Sequence, residues 1–221
     1  MTLRHSANLK KKGIFATELR TTMANDITTH IEKAKPGTLF FVSDFANDRD
    51  NKAVSRILVA LEARGIIERL GNGIYCKPIN TQFGKLYPTI EDVVKRIAKR
   101  DHVQVLPSGT TAENILGFST QVPVTHLYIT SGSARQLIVN RHAIFFKRAV
   151  PRNFAYKNKL MAVLAQALKS IGQKRVGKHE LAVIRNLFLT HPNIQHLDHD
   201  MQIFPIWMRK IVSSALMSIP S

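Results

Sequence analysis

Asn51-Lys52-Ala53-Val54-Ser55-Arg56-Ile57-Leu58-Val59-Ala60-Leu61-Glu62-Ala63-Arg64-Gly65 decides the reading of the N-terminal half of the chain. Val54, Ile57, Leu58 and Leu61 recur at i, i+3, i+4 and i+7, so a helix here has one apolar face. Gly65 ends it, because glycine takes the left-handed conformation past a helix without a Cβ penalty. Two β-prone runs follow, Ile66-Ile67-Glu68-Arg69-Leu70 and Ile74-Tyr75-Cys76-Lys77. The Gly71-Asn72-Gly73 between them predicts a hairpin. Upstream, Ile27, Ile31 and Ala34 sit at helical spacing and Lys35-Pro36-Gly37 stops the run. Thr38-Leu39-Phe40-Phe41 is short and extended, and Ser43 can cap a brief helix containing Phe45 and Ala46. Helix, strand, helix, helix and hairpin in that order predict a winged helix-turn-helix over residues 23–80.

The pattern changes on either side. Residues 1–22 are basic and lack periodicity, which predicts a mobile arm, with Met23 as an alternative start. Residues 81–88 read as a linker. Over 89–221 the elements alternate: an amphipathic helix from Ile90 to Arg100, a strand from His102 to Leu106, and a short helix from Thr111 to Leu116. Extended runs follow at Thr125 to Thr130, Gln136 to Asn140 and Ala143 to Lys147, then helices at Lys157 to Ser170, Glu180 to Thr190 and Ile206 to Ser218. The whole is an α+β chain, a winged helix-turn-helix followed by a larger mixed α/β domain.

Charge narrows the partners. Thirty-two Lys and Arg against fifteen Asp and Glu give a formal charge of +17 over 221 residues. That excess favours a polyanion, because each neutralised phosphate releases counterions. With 44% apolar residues the chain can bury a core, and the single Cys76 excludes both an internal disulfide and a thiolate zinc site. No segment approaches a membrane span and no signal sequence is visible, so a cytoplasmic protein without membrane contact is expected. Most of the excess lies beyond residue 80, spread through residues such as Arg135, Arg141, Lys147, Arg148, Arg152, Lys157, Lys159, Lys169, Lys174, Arg175 and Lys178. These could form a second nucleic-acid surface or dock an acidic protein.

The winged helix itself is nearly neutral, so a binding surface on it has to be polarised. At ~100° per residue, the face opposite Val54 and Leu61 carries Lys52, Ser55, Arg56 and Val59. In a helix-turn-helix that face enters the major groove, where arginine reads guanine and lysine or serine reaches bases or phosphates. The wing adds Arg69, Asn72 and Lys77, which suit phosphate or minor-groove contacts. Asp44, Asp48 and Asp50 precede the helix, where they favour its positive end. Promoter DNA is the partner this arrangement predicts.

Catalytic signatures are missing. There is no phosphate-binding glycine loop with its lysine, no GxSxG and no HExxH. No enzyme activity, metal or other cofactor is expected. Cys76, on the wing, reads as an exposed or half-buried space-filler rather than a nucleophile. The one cluster that invites a metal is His191, His196, Asp198, His199 and Asp200, whose spacing matches no recognised site. A divalent-metal nuclease built on that cluster is the rival reading. A module whose winged helix meets protein rather than DNA is another.

Leu106-Pro107-Ser108-Gly109-Thr110-Thr111-Ala112-Glu113-Asn114-Ile115-Leu116-Gly117-Phe118-Ser119-Thr120-Gln121-Val122-Pro123, followed by Leu127-Tyr128-Ile129-Thr130-Ser131-Gly132, resembles the AbiEi-type antitoxins of bacterial toxin–antitoxin systems. The wing Arg69-Leu70-Gly71-Asn72-Gly73-Ile74-Tyr75 is also similar to the family's, and the resemblance runs from Ile27 to about Ile184. It implies a repressor and antitoxin in one chain, opposing a nucleotidyltransferase-like toxin that the antitoxin need not touch. It carries over no catalytic residue. Read physically, Pro107-Ser108-Gly109 turns the chain out of a strand and Thr110 or Thr111 can cap the short helix. Gly117 ends that helix, and Asn114 and Gln121 satisfy backbone groups.

Overall fold

The computed structural model describes residues 21–46 and 50–217. The basic arm, apart from Thr21 and Thr22, and Asp48 lie outside them, as does Ser218. The chain divides into two compact units between Val93 and Val94.

In the first unit, helix α1 is described over 21–33, followed by β1 (Leu39–Phe41), α2 (Val42–Phe45), α3 (Asn51–Ala63), β2 (Glu68–Gly71) and β3 (Ile74–Cys76). β3 lies between β1 and β2 and pairs antiparallel with both, with Tyr75 opposite Phe40 on one side and Arg69 on the other. This is the element order expected from the sequence, with β1 closing the hairpin into three strands. Ile27 and Ile31 of α1, Val54, Leu58 and Leu61 of α3, and Phe40, Ile67 and Tyr75 form the core. Ile57 is only half-buried against that core. The helices are set by local chemistry. Asp50 caps α3 through the Lys52 N–H at 2.9 Å. At the other end Gly65, at φ +71°, lets its own N–H reach the Glu62 carbonyl (2.9 Å) and the Ile66 N–H reach that of Leu61 (3.1 Å). α2 differs from expectation: Ser43 lies within it, and the Asp44 carboxylate accepts the Phe41 N–H at 2.9 Å instead.

The segment expected to be a linker is a second hairpin. β4 (Ile79–Thr81) and β5 (Gly84–Leu86) pair antiparallel, and the Phe83 N–H and Gly84 carbonyl both bond the Thr81 hydroxyl, at 3.2 and 2.7 Å. Both strands are exposed on both faces, and Phe83 at the turn is 92% exposed. With nothing buried, the hairpin has no alternating apolar pattern to announce it. It is tied to β2 by Glu68, whose carboxylate receives the Lys85 ammonium and the Tyr87 hydroxyl. Those two bonds hold the Glu68 carboxyl below its ordinary value. α4 (Ile90–Arg100) then begins with Thr89 and Asp92 bonding each other's backbone N–H at 3.2 Å.

The second unit is a sheet with a helical layer. β6 (Val105–Pro107), β7 (Thr125–Thr130), β8 (Arg135–Val139) and β9 (His142–Arg148) lie in the order β8–β9–β7–β6. The β7–β9 pair is parallel and the other two are antiparallel. The β8–β9 turn is made by Asn140 and Arg141, both at positive φ, which is the tight hairpin geometry that follows strand twist. The helices are α5 (Gly109–Ile115), α6 (Lys159–Ile171), α7 (Lys178–Thr190), α8 (Leu197–Ile203) and α9 (Ile206–Met217). α6 is buried from Met161 through Leu168 and forms the centre of a core shared with Phe188, Phe204, Met208 and Val212. α8 falls where the sequence gives no helical expectation, across part of the His and Asp cluster. It is held as a helix because Asp200 turns inward, fully buried, and accepts the Lys157 and Asn158 N–H groups at 2.9 and 2.8 Å. Among the described residues, no helix is long and apolar enough to cross a membrane.

Candidate nucleic-acid interface

The outward face of α3 carries the expected side chains. Lys52 and Arg56 are exposed, Ser55 is half-buried, and Val59 on the same face is 48% exposed. The Ser55 hydroxyl donates to the Asn51 carbonyl at 2.8 Å, which leaves its oxygen able to accept. On the β2–β3 hairpin, the exposed Arg69 bonds the Gly71 carbonyl through Nε (3.3 Å) and the Asn72 side chain through Nη2 (3.5 Å). Both contacts are long and both acceptors are uncharged, so the guanidinium is oriented at the turn without being neutralised by them. The strand register slips between Arg69 and Gly71, a bulge that increases local twist where the hairpin turns.

Lys77 does not belong to this surface. Its ammonium donates to the carbonyls of Ile31 (3.3 Å), Glu32 (2.6 Å) and Ala34 (2.9 Å). It therefore caps the C-terminal end of α1, where carbonyls without helical partners concentrate negative charge. Lys77→Met is expected to cost about 1 kcal/mol of stability in a denaturant titration and to leave DNA affinity unchanged.

Cys76 is also placed differently. It lies on the central strand of the three and is fully buried. Burial, with a smaller push from the Glu68 charge, raises its thiol to about 11. It is expected to resist a disulfide reagent at pH 8 in the folded protein and to react within minutes once denaturant is added. Rapid reaction of the native chain would place the thiol at the surface.

The basic residues of the second unit do not form one uniform face. Arg175 donates to the carbonyls of Ile171 (2.5 Å) and Ser170 (2.6 Å) and closes α6, and Arg209 does the same for α8 through Met201, at 3.0 Å, and Gln202, at 2.9 Å. Arg135 is paired with Asp101 and lies 5.3 Å from the Phe146 ring centre. Burial would raise the Asp101 carboxyl, but hydrogen bonds from Arg100 and Arg135 outweigh it and hold it low. Arg141, Lys147, Arg148, Lys174 and Lys178 are exposed.

The His191–Asp200 segment offers no ligand set. His191 Nδ1 lies 3.0 Å from both the Leu187 carbonyl and the Thr190 hydroxyl, and His199 Nδ1 lies 2.8 Å from the buried Asp200. His196 precedes α8 in the left-handed region and Asp198 faces outward. No three His, Cys, Asp or Glu side chains among the described residues are grouped to hold a metal ion.

The stretch around Pro107–Pro123 joins α5 to β7. The buried Thr111 hydroxyl accepts the Leu127 N–H at 2.7 Å, so Thr111 does not cap its own helix; Ser108 occupies the capping position. Gly109, at φ +56°, sits where a Cβ would lie 2.7 Å from the Leu127 side chain. Asn114 Nδ2 donates to the Ser119 and Gln121 carbonyls, and Gly117 ends the helix as expected. Each of these contacts is internal.

Residues 26–196 match the family model described as a family of unknown function, DUF6088. No curated protein matches the chain significantly.

Proposed function

We propose a promoter-binding regulator's role for this chain, which belongs to the DUF6088 family. The observation that carries the proposal is the outward face of α3, with exposed Lys52 and Arg56 and a half-buried Ser55, on a unit whose wing carries exposed Arg69 and Asn72. Lysine and arginine on such a helix suit guanine edges and phosphates, and the wing suits the flanking backbone. The formal charge of +17 supports a polyanionic partner. The protein in this reading acts in the cytoplasm as a repressor of its own operon and has no catalytic role.

The resemblance of residues 106–132 to AbiEi-type antitoxins extends the reading. The second unit then counters a nucleotidyltransferase-like toxin encoded beside it, with or without direct contact. The test of the DNA reading is a gel-shift titration of the purified chain on the DNA upstream of its own gene, at fixed salt. Binding that survives excess unrelated duplex supports it. Equal competition by any duplex removes the promoter from the account. Co-expression with the adjacent reading frame, scored by growth, tests the antitoxin part separately.

A further inference from the structure

A cavity of about 390 Å³ opens in the second unit among α6, α8 and α9, within the usual range for small-molecule sites. Its polar wall is cationic. Arg152 and Lys169 both line it and both reach solvent, and no lining residue among the described ones carries a carboxylate. The opposite wall is apolar, made by Ile203, Pro205 and Met208.

The cationic wall is built rather than incidental. Gln166, 5% exposed, donates to the Asn153 side-chain oxygen at 3.3 Å, and the same oxygen accepts the Lys169 ammonium at 2.7 Å. Asn153 is fixed in turn by its amide, which donates to the Val150 carbonyl at 3.2 Å. A buried amide therefore positions the residue that positions Lys169. Arg152 spends one donor on the Ile203 carbonyl at 3.4 Å, leaving the rest of its fork for a ligand. Burial, and then the charge of Arg152, lower the Lys169 ammonium from its ordinary value. Two cations on one wall, with no acid among its described lining residues, repel each other until an anion joins them. Tyr156, which also lines the cavity, is raised by burial to about 12 and stays a proton donor.

We propose that this cavity binds a small organic phosphate, with the phosphate between Arg152 and Lys169 and the apolar or aromatic part against Ile203, Pro205 and Met208. A phosphate takes charge-assisted bonds from both cations, and arginine presents two parallel donors to it. The apolar wall favours a ligand with a hydrophobic body, such as a nucleoside phosphate. A nucleic-acid backbone is better served by an open basic groove with stacking platforms than by a concavity of this size. The site is independent of the DNA-binding reading.

Isothermal titration of the full-length protein with AMP, ATP, glucose 6-phosphate and inorganic phosphate tests it. Saturable one-site binding of at least one organic phosphate is expected, tighter than that of inorganic phosphate. AMP or ATP binding identifies a nucleotide as the source, and binding of glucose 6-phosphate alone would contradict the role given to the apolar wall. Lys169→Gln and Arg152→Gln should each weaken binding about tenfold or more, and Lys169→Arg should retain it. Should Lys169→Gln melt early, Arg152→Gln at its exposed position carries the same reading. Lys52→Ala combined with Arg56→Ala should bind the ligand as wild type does. No saturable binding by any organic phosphate overturns the proposal. So does binding that both Gln variants leave unchanged, binding lost in the α3 variant, or inorganic phosphate binding as tightly as the organic ligands.

Discussion

Asp200→Ala is expected to lower the stability of the protein by about 3 kcal/mol, a melting shift of roughly 6–12 °C for a chain of this size. The carboxylate is fully buried and takes the Lys157 and Asn158 N–H groups just ahead of α6, with His199 on the same oxygen as Lys157. Alanine leaves two backbone donors without their acceptor at the start of the most buried helix in the unit. Buried donors stranded in this way cost about 1–3 kcal/mol each. An asparagine side chain would keep one acceptor but turn an amide N–H toward a donor, so Asp200→Asn should fall between alanine and wild type. Asp198→Ala, on the exposed side of the same helix, should change stability by less than about 0.5 kcal/mol. Equal midpoints for Asp198→Ala and Asp200→Ala would mean that Asp200 does not hold the two segments together.

Asp200 also marks where sequence reasoning reaches its limit. Its partners lie 42 and 43 residues away, and nothing local in Leu197-Asp198-His199-Asp200 signals that one of two aspartates turns inward. A run of His and Asp after a proline reads as a polar loop, which hides α8 although Leu197 and Met201 pack on the core. The same limit misplaces Lys77, whose three acceptors lie 43 to 46 residues upstream. A lysine just past a hairpin strand has the chemistry of a phosphate contact until the helix that it caps is seen.

What is legible follows from periodicity and glycine. Val54, Leu58 and Leu61 are all buried, and the turn at Gly65 forms as its position after Arg64 implies. The strands Thr125–Thr130 and His142–Arg148 are readable because β-prone residues run between clear turn residues. The β4–β5 hairpin is not, since both its faces meet solvent. For the candidate interface, the exposed sides of Lys52, Arg56, Arg69 and Asn72 follow from helix and hairpin geometry. The cation pair at Arg152 and Lys169 joins a short 3-10 helix (Pro151–Phe154) to α6, seventeen positions apart, and no spacing rule connects them.

Combining Lys52→Ala with Arg56→Ala is expected to cost about 2–5 kcal/mol of specific DNA binding, each side chain counted as one base or phosphate contact. The fold should be untouched, because both side chains are exposed and the core face of α3 keeps Val54, Leu58 and Leu61. If one of the two reads a base, the loss concentrates on specific sites; if both touch only phosphates, specific and random duplexes weaken together.

The most direct measurement is fluorescence anisotropy of a labelled upstream duplex against a scrambled duplex of equal length, for wild type and the double variant, over a salt series. The account predicts that wild type prefers the upstream duplex by at least about a thousandfold and loses affinity as salt rises. It predicts that the double variant loses most of that preference while melting at the wild-type temperature. A double variant that keeps both affinity and preference would contradict the placement of the DNA-reading face on α3.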